Sequence, residues 1–403
     1  MNIAQPTRAA PPHILTLVSI AAIGPLAMNI FLPSLPGMAR YFQTDYWVIQ
    51  LLVSLYLAAI AVTQLLIGPL SDRYGRRPVL LVSLLIFAVS TLAAIFSPNV
   101  ETLLVCRLFQ ATAAAGMVLS RAVVRDTVAN IDDAASRIGY VTMGMSVMPM
   151  IAPIFGGFLE EHYGWKSTFL LTLAITAVVI LITYFNLGET NLNRSTSMMG
   201  QLRTYPELIR SRRFWGYAMT AGFASGAFFA FLGGAPYVAT EMLGLGPSDY
   251  GIYFAVVSVG YMAGNYMSGR FSRSMGVNRM LLAGNIVAAA AALISICLFS
   301  AGYMHPLSLF APTALIAVGN GMVLPNSNAG MVSVRPHLAG SASGLGGTMQ
   351  IGLGAVLAFV AGALLTPQSG PQPLLWVMLS SLLLGVLSTL YVIHVARQVR
   401  KQD

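Results

Sequence analysis

Of 403 residues, 56% are hydrophobic and 9% charged. A soluble globular chain carries roughly 25% charged residues, so a soluble multidomain protein is excluded and most of this chain lies in lipid. The net charge of +9 does not mark a nucleic-acid partner, because the basic residues sit almost entirely in short loops between apolar runs.

Taken in chain order, the apolar runs predict twelve spans of about 20 residues each. They cover 13–36, 47–69, 78–97, 102–124, 138–159, 167–187, 214–238, 250–270, 279–301, 307–330, 341–365 and 373–396. The first run has no A-x-A-type site and reads as an uncleaved span. Cys106 and Cys297 fall inside apolar runs and read as small hydrophobes, without disulfide or metal spacing. With the N-terminus inside, Arg8, Arg194, Arg203, Arg400, Lys401 and nearly all the other basic residues fall on the inner side. The exceptions are Arg40 and Lys166 outside and Arg107 within a span. This asymmetry predicts two cytoplasmic termini.

The longest polar stretch, Gly188 to Arg213, reads as a linker between two six-helix halves, 1–187 and 214–403. The halves look like a repeat. A shift of 201 residues places Gly68 on Gly269, Ser71 on Ser272, Gly75 on Gly276 and Gly139 on Gly340, while Asp72 meets Arg273. Both copies lie on one side of the membrane, so the repeat is parallel. Parallel halves with a site between them are a transporter plan.

Four stretches carry chemistry. In GPLSDRYGRRP, Gly68 to Pro78, glycines and a proline allow a tight turn between helices. Asp72 stands where it can meet cations or a helix N-terminus, and Arg73, Arg76 and Arg77 can pair with it or with lipid headgroups. A cytoplasmic latch is expected from Asp72 and Arg73 with Arg121, Arg125 or the span start near Ser341. CRLFQATAAAG, Cys106 to Gly116, puts a guanidinium, Arg107, in an apolar span, where a charge is expensive and marks a pathway or counter-charge. Gln110 lies one turn on, on the same face. The blander alternative has Arg107 snorkelling to the outer surface. GYVTMGMSVMPMIAPIFGG, Gly139 to Gly157, has small residues that let helices approach and a proline that loosens the backbone ladder. MNIFLPSLP, Met28 to Pro36, ends the first apolar run with an amide, Asn29, at a place where a membrane protein is expected to bury a working group.

These stretches resemble the major facilitator superfamily, whose loop between spans two and three carries the G-x-L-S/A-D-R-x-G-R-R pattern. The likeness narrows to the twelve-helix drug:proton antiporters, and within them to the bicyclomycin-resistance and chloramphenicol/florfenicol exporter group. Arg107 and Gln110 match the family's R-x-x-Q-G pattern, with Ala111 for glycine. Gly139, Pro153, Gly156 and Gly157 match the antiporter signature of span five, with Met148 and Ala152 for glycines. Met28, Leu32, Pro33, Leu35 and Pro36 match the span-one pattern M-D-x-Y-L-P-x-L-P, with Asn29 for the acid and Phe31 for tyrosine. The resemblance implies an all-α membrane protein of the major facilitator fold and a multidrug exporter of the bacterial inner membrane. It also implies proton exchange without a cofactor, lipid as a partner and a monomer.

The difference at position 29 bears on the energy source. None of the 13 acidic residues falls near a span centre. A buried carboxylate can exchange a proton for a drug cation, whereas asparagine does not titrate and mimics a protonated aspartate in shape. Three readings stay open: a protonated-like locked form, which is favoured; coupling through another group, with Asp126 or Glu101 as candidates; or uniport. A cavity between the halves is expected to be mostly apolar. Its candidate residues are Asn29, Tyr56, Arg107, Gln110, Met143, Phe223, Tyr253, Phe254 and Gln350, since aromatic and methionine side chains repack around varied guests.

Rival classes fare worse. No G-x-x-x-x-G-K-[ST] loop is present, and the glycines of Gly344 to Gly354 lie inside an apolar span and suit helix packing. A membrane enzyme wants clustered histidines or acids at one face, yet His13, His162, His305, His337 and His394 are dispersed. A receptor wants a soluble output segment. A proton-coupled importer or uniporter of a small metabolite is the nearer alternative.

Overall fold

A computed structural model describes residues 11–128, 131–191, 205–335, 338–366 and 368–399. Residues 192–204 of the expected linker, His337, Asp403 and the basic residues Arg8, Arg194, Arg203, Arg400 and Lys401 lie outside the described residues. Every regular element among the described residues is helical.

Twelve long helical segments follow one another: α1 (Ile14–Tyr41), α2 (Tyr46–Tyr74), α3 (Arg76–Ile95), α4 (Val100–Thr127), α5 (Ile131–Tyr163), α6 (Trp165–Asn186), α7 (Arg212–Met242), α8 (Pro247–Met275), α9 (Val277–Ser300), α10 (Pro306–Val334), α11 (Ala339–Leu364) and α12 (Gln372–Val399). Eleven are long and apolar enough to cross a membrane. The exception is α8, which carries Asp249, Asn265, Arg270, Arg273 and several serines along its length. Most helices outrun the apolar windows read from sequence. Backbone hydrogen bonding continues past the last apolar residue, because a helix end in lipid or headgroup leaves its polar groups unmet.

Two breaks shape the site. The regular helix of α1 stops at Asn29 and resumes as a 3-10 turn, Leu32–Ser34, and a short helix, Leu35–Tyr41. Pro33 causes the stop: it has no N–H to give to the Asn29 carbonyl four residues back, and its ring crowds that carbonyl. In α4, a 3-10 turn at Ala111–Ala113 separates Val100–Gln110 from Ala114–Thr127.

The chain forms two compact units. One comprises Met1–Asn29, Val62–Pro149 and Phe169–Leu202. Its core gathers Leu17, Ile20, Leu84, Phe87, Leu119 and Val123. The other comprises Ile30–Ala61, Met150–Thr168 and Arg203–Asp403, with Phe214, Tyr217, Leu281, Val323, Met331 and Val392 among its core. The short helix Tyr205–Ile209 belongs to the second unit and buries Leu208 there.

The turns entering α3 and α9 are built alike. Gly75 has φ 103° and Gly276 φ 82°, a region L side chains rarely enter. Each glycine N–H donates to a serine carbonyl four residues back: Gly75 to Ser71 at 3.0 Å and Gly276 to Ser272 at 2.9 Å. These are the positions that the 201-residue shift pairs.

Candidate functional site

The first unit holds a buried polar network where α1 breaks. Arg107 is 2% exposed, about 10 Å along the axis from the start of α4. Its Nη1 donates to Gln110 Oε1 at 2.9 Å and its Nη2 to the Ala27 carbonyl at 3.0 Å. Gln110 Nε2 donates to Thr91 Oγ1 at 3.0 Å, and Thr91 Oγ1 donates to the Phe87 carbonyl at 2.7 Å. The chain of bonds thus ties α1, α3 and α4 together. Ala27 lies in the last turn of the regular helix that stops at Asn29, so its carbonyl belongs to the negative end of the helix dipole. A fixed cation there is favourable. The snorkelling alternative for Arg107 gives way to this burial.

Asn29 is 3% exposed. Its Nδ2 donates to the Pro25 carbonyl at 2.7 Å, and its buried Oδ1 has no hydrogen-bond partner among the described residues. Through the Ala27 carbonyl, Arg107 thus meets the same turn of α1 that carries Asn29. None of Asn29, Arg107, Gln110 and Thr91 changes charge near neutral pH.

The loop after α2 forms a second cluster in the same unit. Arg76 is its centre. Its Nη1 pairs with Asp72 Oδ1 at 2.6 Å and bonds Ser71 Oγ at 2.5 Å, while its Nε meets Asp126 Oδ2 at 2.9 Å. Glu189, just after α6, accepts from the Arg76 N–H at 2.9 Å and the Arg77 N–H at 3.3 Å, the first two amides of α3. A carboxylate there satisfies orphan donors and complements the helix dipole. The same carboxylate lies against Gly75, where a Cβ would overlap it. Arg77 Nη2 donates to the Tyr184 carbonyl at 2.8 Å, and its guanidinium lies 5.1 Å from the Tyr184 ring centroid. Arg73 lies over the Tyr74 ring at 5.2 Å. Arg121 is half-buried, with an Nε that has no hydrogen-bond partner among the described residues, and Arg125 is exposed. Gly68 contributes its carbonyl, which accepts from Ser71 Oγ at 2.8 Å. Of the two fallback acids, Asp126 belongs to this cluster, and Glu101 lies exposed in the first turn of α4.

The α5 signature does different work along its length. A Cβ at Gly139 would meet open space. In the second unit, a Cβ at Gly156 would fall on the Ile30 carbonyl and one at Gly157 on the Pro247 carbonyl, while the Pro153 carbonyl lies against Gly251. These residues let α5 touch the break in α1 and the start of α8 backbone to backbone.

The remaining candidates are scattered. Met143 is 60% exposed in the first unit. In the second, Tyr56 and Phe254 are fully buried, and Phe223, Tyr253 and Gln350 are half-buried. Phe254 packs 5.9 Å from both Phe231 and Tyr250, and Tyr253 stacks on Phe310 at 5.2 Å. The Phe223 carbonyl accepts from Ser381 at 2.6 Å. Sequence reasoning missed Thr91, Glu189 and two groups of the second unit, Gln50 and Glu160. Gln50 is fully buried on α2 and donates to the Ala358 carbonyl at 2.6 Å. A polar residue inside an apolar span was the signal available for Thr91 and Gln50. Glu189 offered only its place after a span.

Comparison with known proteins supports a transporter. The family description Major Facilitator Superfamily matches residues 17–351. An uncharacterised MFS-type transporter, YdgK of Bacillus subtilis, is 33% identical over 85% of this chain and 86% of its own. Multidrug resistance protein D of Escherichia coli is 30% identical over 89% of each. A chloramphenicol resistance protein of Pseudomonas aeruginosa is 27% identical over 85% and 83%. A crystal structure of a bacterial homologue of the human lysosomal transporter Spinster aligns with a TM-score of 0.73 at 17% identity, covering 96% of this chain and 97% of that one. That likeness is of fold.

Proposed function

The chain belongs to the major facilitator superfamily, and from that premise we propose that it exports small amphipathic drugs of the phenicol or bicyclomycin kind by alternating access. The observation that supports the reading is the buried Arg107–Gln110 network tied to the α1 turn of Asn29, whose Oδ1 is buried without a hydrogen-bond partner among the described residues. A buried polar atom left unmet costs stability unless something uses it. A drug hydroxyl or amide N–H is a suitable user. The names of the resistance-protein relatives favour drugs over nutrients. Both termini are read as cytoplasmic from the loop charges, in the inner membrane of a bacterium. The chain needs no cofactor and acts as a monomer, with the proton gradient as the expected energy source and lipid as its surroundings. The Asp72–Arg76–Asp126 cluster is read as the cytoplasmic latch.

A second reading is uniport. It is favoured by the chemistry of Asn29, Arg107, Gln110 and Thr91, none of which can release a proton at neutral pH. The test is chloramphenicol-dependent proton movement in proteoliposomes, with the parent and Asn29→Asp side by side. Proton movement only in the Asp variant assigns coupling to position 29 and makes the parent a protonated-like form. Equal proton movement in both sinks that assignment. Drug flux without protons in both supports uniport.

A further inference from the structure

Among the described acidic side chains, one carboxyl oxygen is buried and lacks a hydrogen-bond partner: Oε2 of Glu160. Glu160 lies on α5, three residues past Gly157, inside the second unit. Its other oxygen, Oε1, lies against Gly37 of α1, where a Cβ would overlap it. Ser34 of α1 stands beside the carboxyl, yet its Oγ is likewise buried and without a partner in hydrogen-bond geometry. Arg40, one turn further along α1, is within electrostatic reach of Glu160, but it gives its guanidinium to Glu241 of α7 at 2.5 Å.

Arg40 is thus one cation between two carboxylates on different helices. Other charged groups at this end of the unit include Asp45 just before α2, Glu161 and His162 on α5, Lys166 at the start of α6 and Asp249 on α8. Glu161 is committed to the Ser248 N–H at 3.3 Å, and Lys166 lies over the rings of Tyr41 and Trp165 at 5.6 Å.

We infer that Glu160 is a proton-binding site that decides whether this end of the second unit is closed. A neutral carboxyl tolerates a buried oxygen beside Ser34 and Gly37, and leaves Arg40 to Glu241. Glu160 is half-buried, and ionising it places charge on an oxygen, Oε2, that has neither water nor a hydrogen-bond partner. Either the carboxylate draws Arg40 off Glu241, which frees α1 from α7, or it moves into water and gives up its place against Gly37, which frees α1 from α5. The proton comes from bulk water and returns to it. The inference rests on the orientation given under the proposed function, which puts this end outside. Protons in the external medium then hold the outer end shut, independently of any proton carried across.

The experiment uses the full chain in liposomes, with both native cysteines replaced by alanine and spin labels on Thr44→Cys and Leu243→Cys, in the α1–α2 and α7–α8 turns. The ratio of short to long label separations is measured between about pH 5 and about pH 8, a window in which folded proteins stay intact. The expected ratio falls about tenfold as pH rises, within the usual range for linked equilibria. Glu160→Gln, close to the neutral acid in shape, keeps the short separation throughout. Glu241→Gln, which removes the rival for Arg40, shifts the ratio toward long separations at every pH and proves that the labels report opening. A parent ratio that ignores pH, or a Glu160→Gln variant that follows pH as the parent does, overturns the inference. Labelling both cysteines with a membrane-impermeant thiol reagent from outside tests the orientation separately. Failure there moves the site to the cytoplasmic face and corrects the proposed topology, whereas the pH response judges Glu160 alone.

Discussion

Arg107→Lys probes the buried network most sharply, because it keeps the charge and removes the fork. The guanidinium reaches two acceptors on different helices, Gln110 Oε1 at 2.9 Å and the Ala27 carbonyl at 3.0 Å. A lysine ammonium is a compact point charge on a flexible stem, and it keeps one of the two. Charge-assisted hydrogen bonds in soluble proteins contribute about 1.5–3 kcal/mol. Side-chain bonds between membrane helices average about 0.6 and reach about 1.7 kcal/mol, because separated helices find other partners in the bilayer. The membrane scale applies here, and a charged donor belongs at its upper end. The expected loss is therefore about 1–2 kcal/mol, or roughly tenfold in an equilibrium. If the Ala27 bond fixes the end of α1, chloramphenicol transport in proteoliposomes falls by about that factor, and the thermal midpoint in detergent drops by a few degrees. Arg107→Met leaves both acceptors without a donor and falls further. A lysine variant with parental transport and an unchanged midpoint refutes the argument that both arms of Arg107 are needed.

Asn29→Asp keeps the donor to the Pro25 carbonyl only while its carboxyl is protonated. Its stability relative to the parent is therefore present at acid pH and lost as pH rises, which thermal melts across pH will check. Glu189→Ala removes the acceptor from the first two amides of α3 and costs about 1–2 kcal/mol, as helix caps do. Glu189→Gln costs less, and limited proteolysis of the α2–α3 loop and the thermal midpoint read both. Gly156→Ala drives a methyl into the Ile30 carbonyl and destabilises by about 1–3 kcal/mol through overpacking. Gly139→Ala, facing open space, stays within about 0.5 kcal/mol of the parent, so equal effects on melting would refute the assigned contacts.

Much of this protein is written locally. Hydropathy over 20-residue windows set the spans, because backbone groups in lipid must bond within their own helix. Gly75 and Gly276 could be read as turns because each turn depends on residues a few positions apart. Arg107 and Gln110 could be paired from their three-residue spacing on one helix. The break at Pro33 is not legible in the sequence, which reads as one span over 13–36, because Pro25, Pro69, Pro312 and Pro325 sit inside helices that continue. What else the sequence did not disclose depends on residues far apart along the chain. Glu189 caps a helix that starts 113 residues earlier, and Arg107 bonds a carbonyl 80 residues away. Tyr56 and Phe254 are fully buried while Met143 is largely exposed, although all three looked alike as adaptable apolar side chains. Glu160 was one acid among 13 in the sequence. Only packing against Ser34 and Gly37 strands one of its oxygens, because burial is a property of neighbours brought together by the fold and not of the residue or its position in a helix.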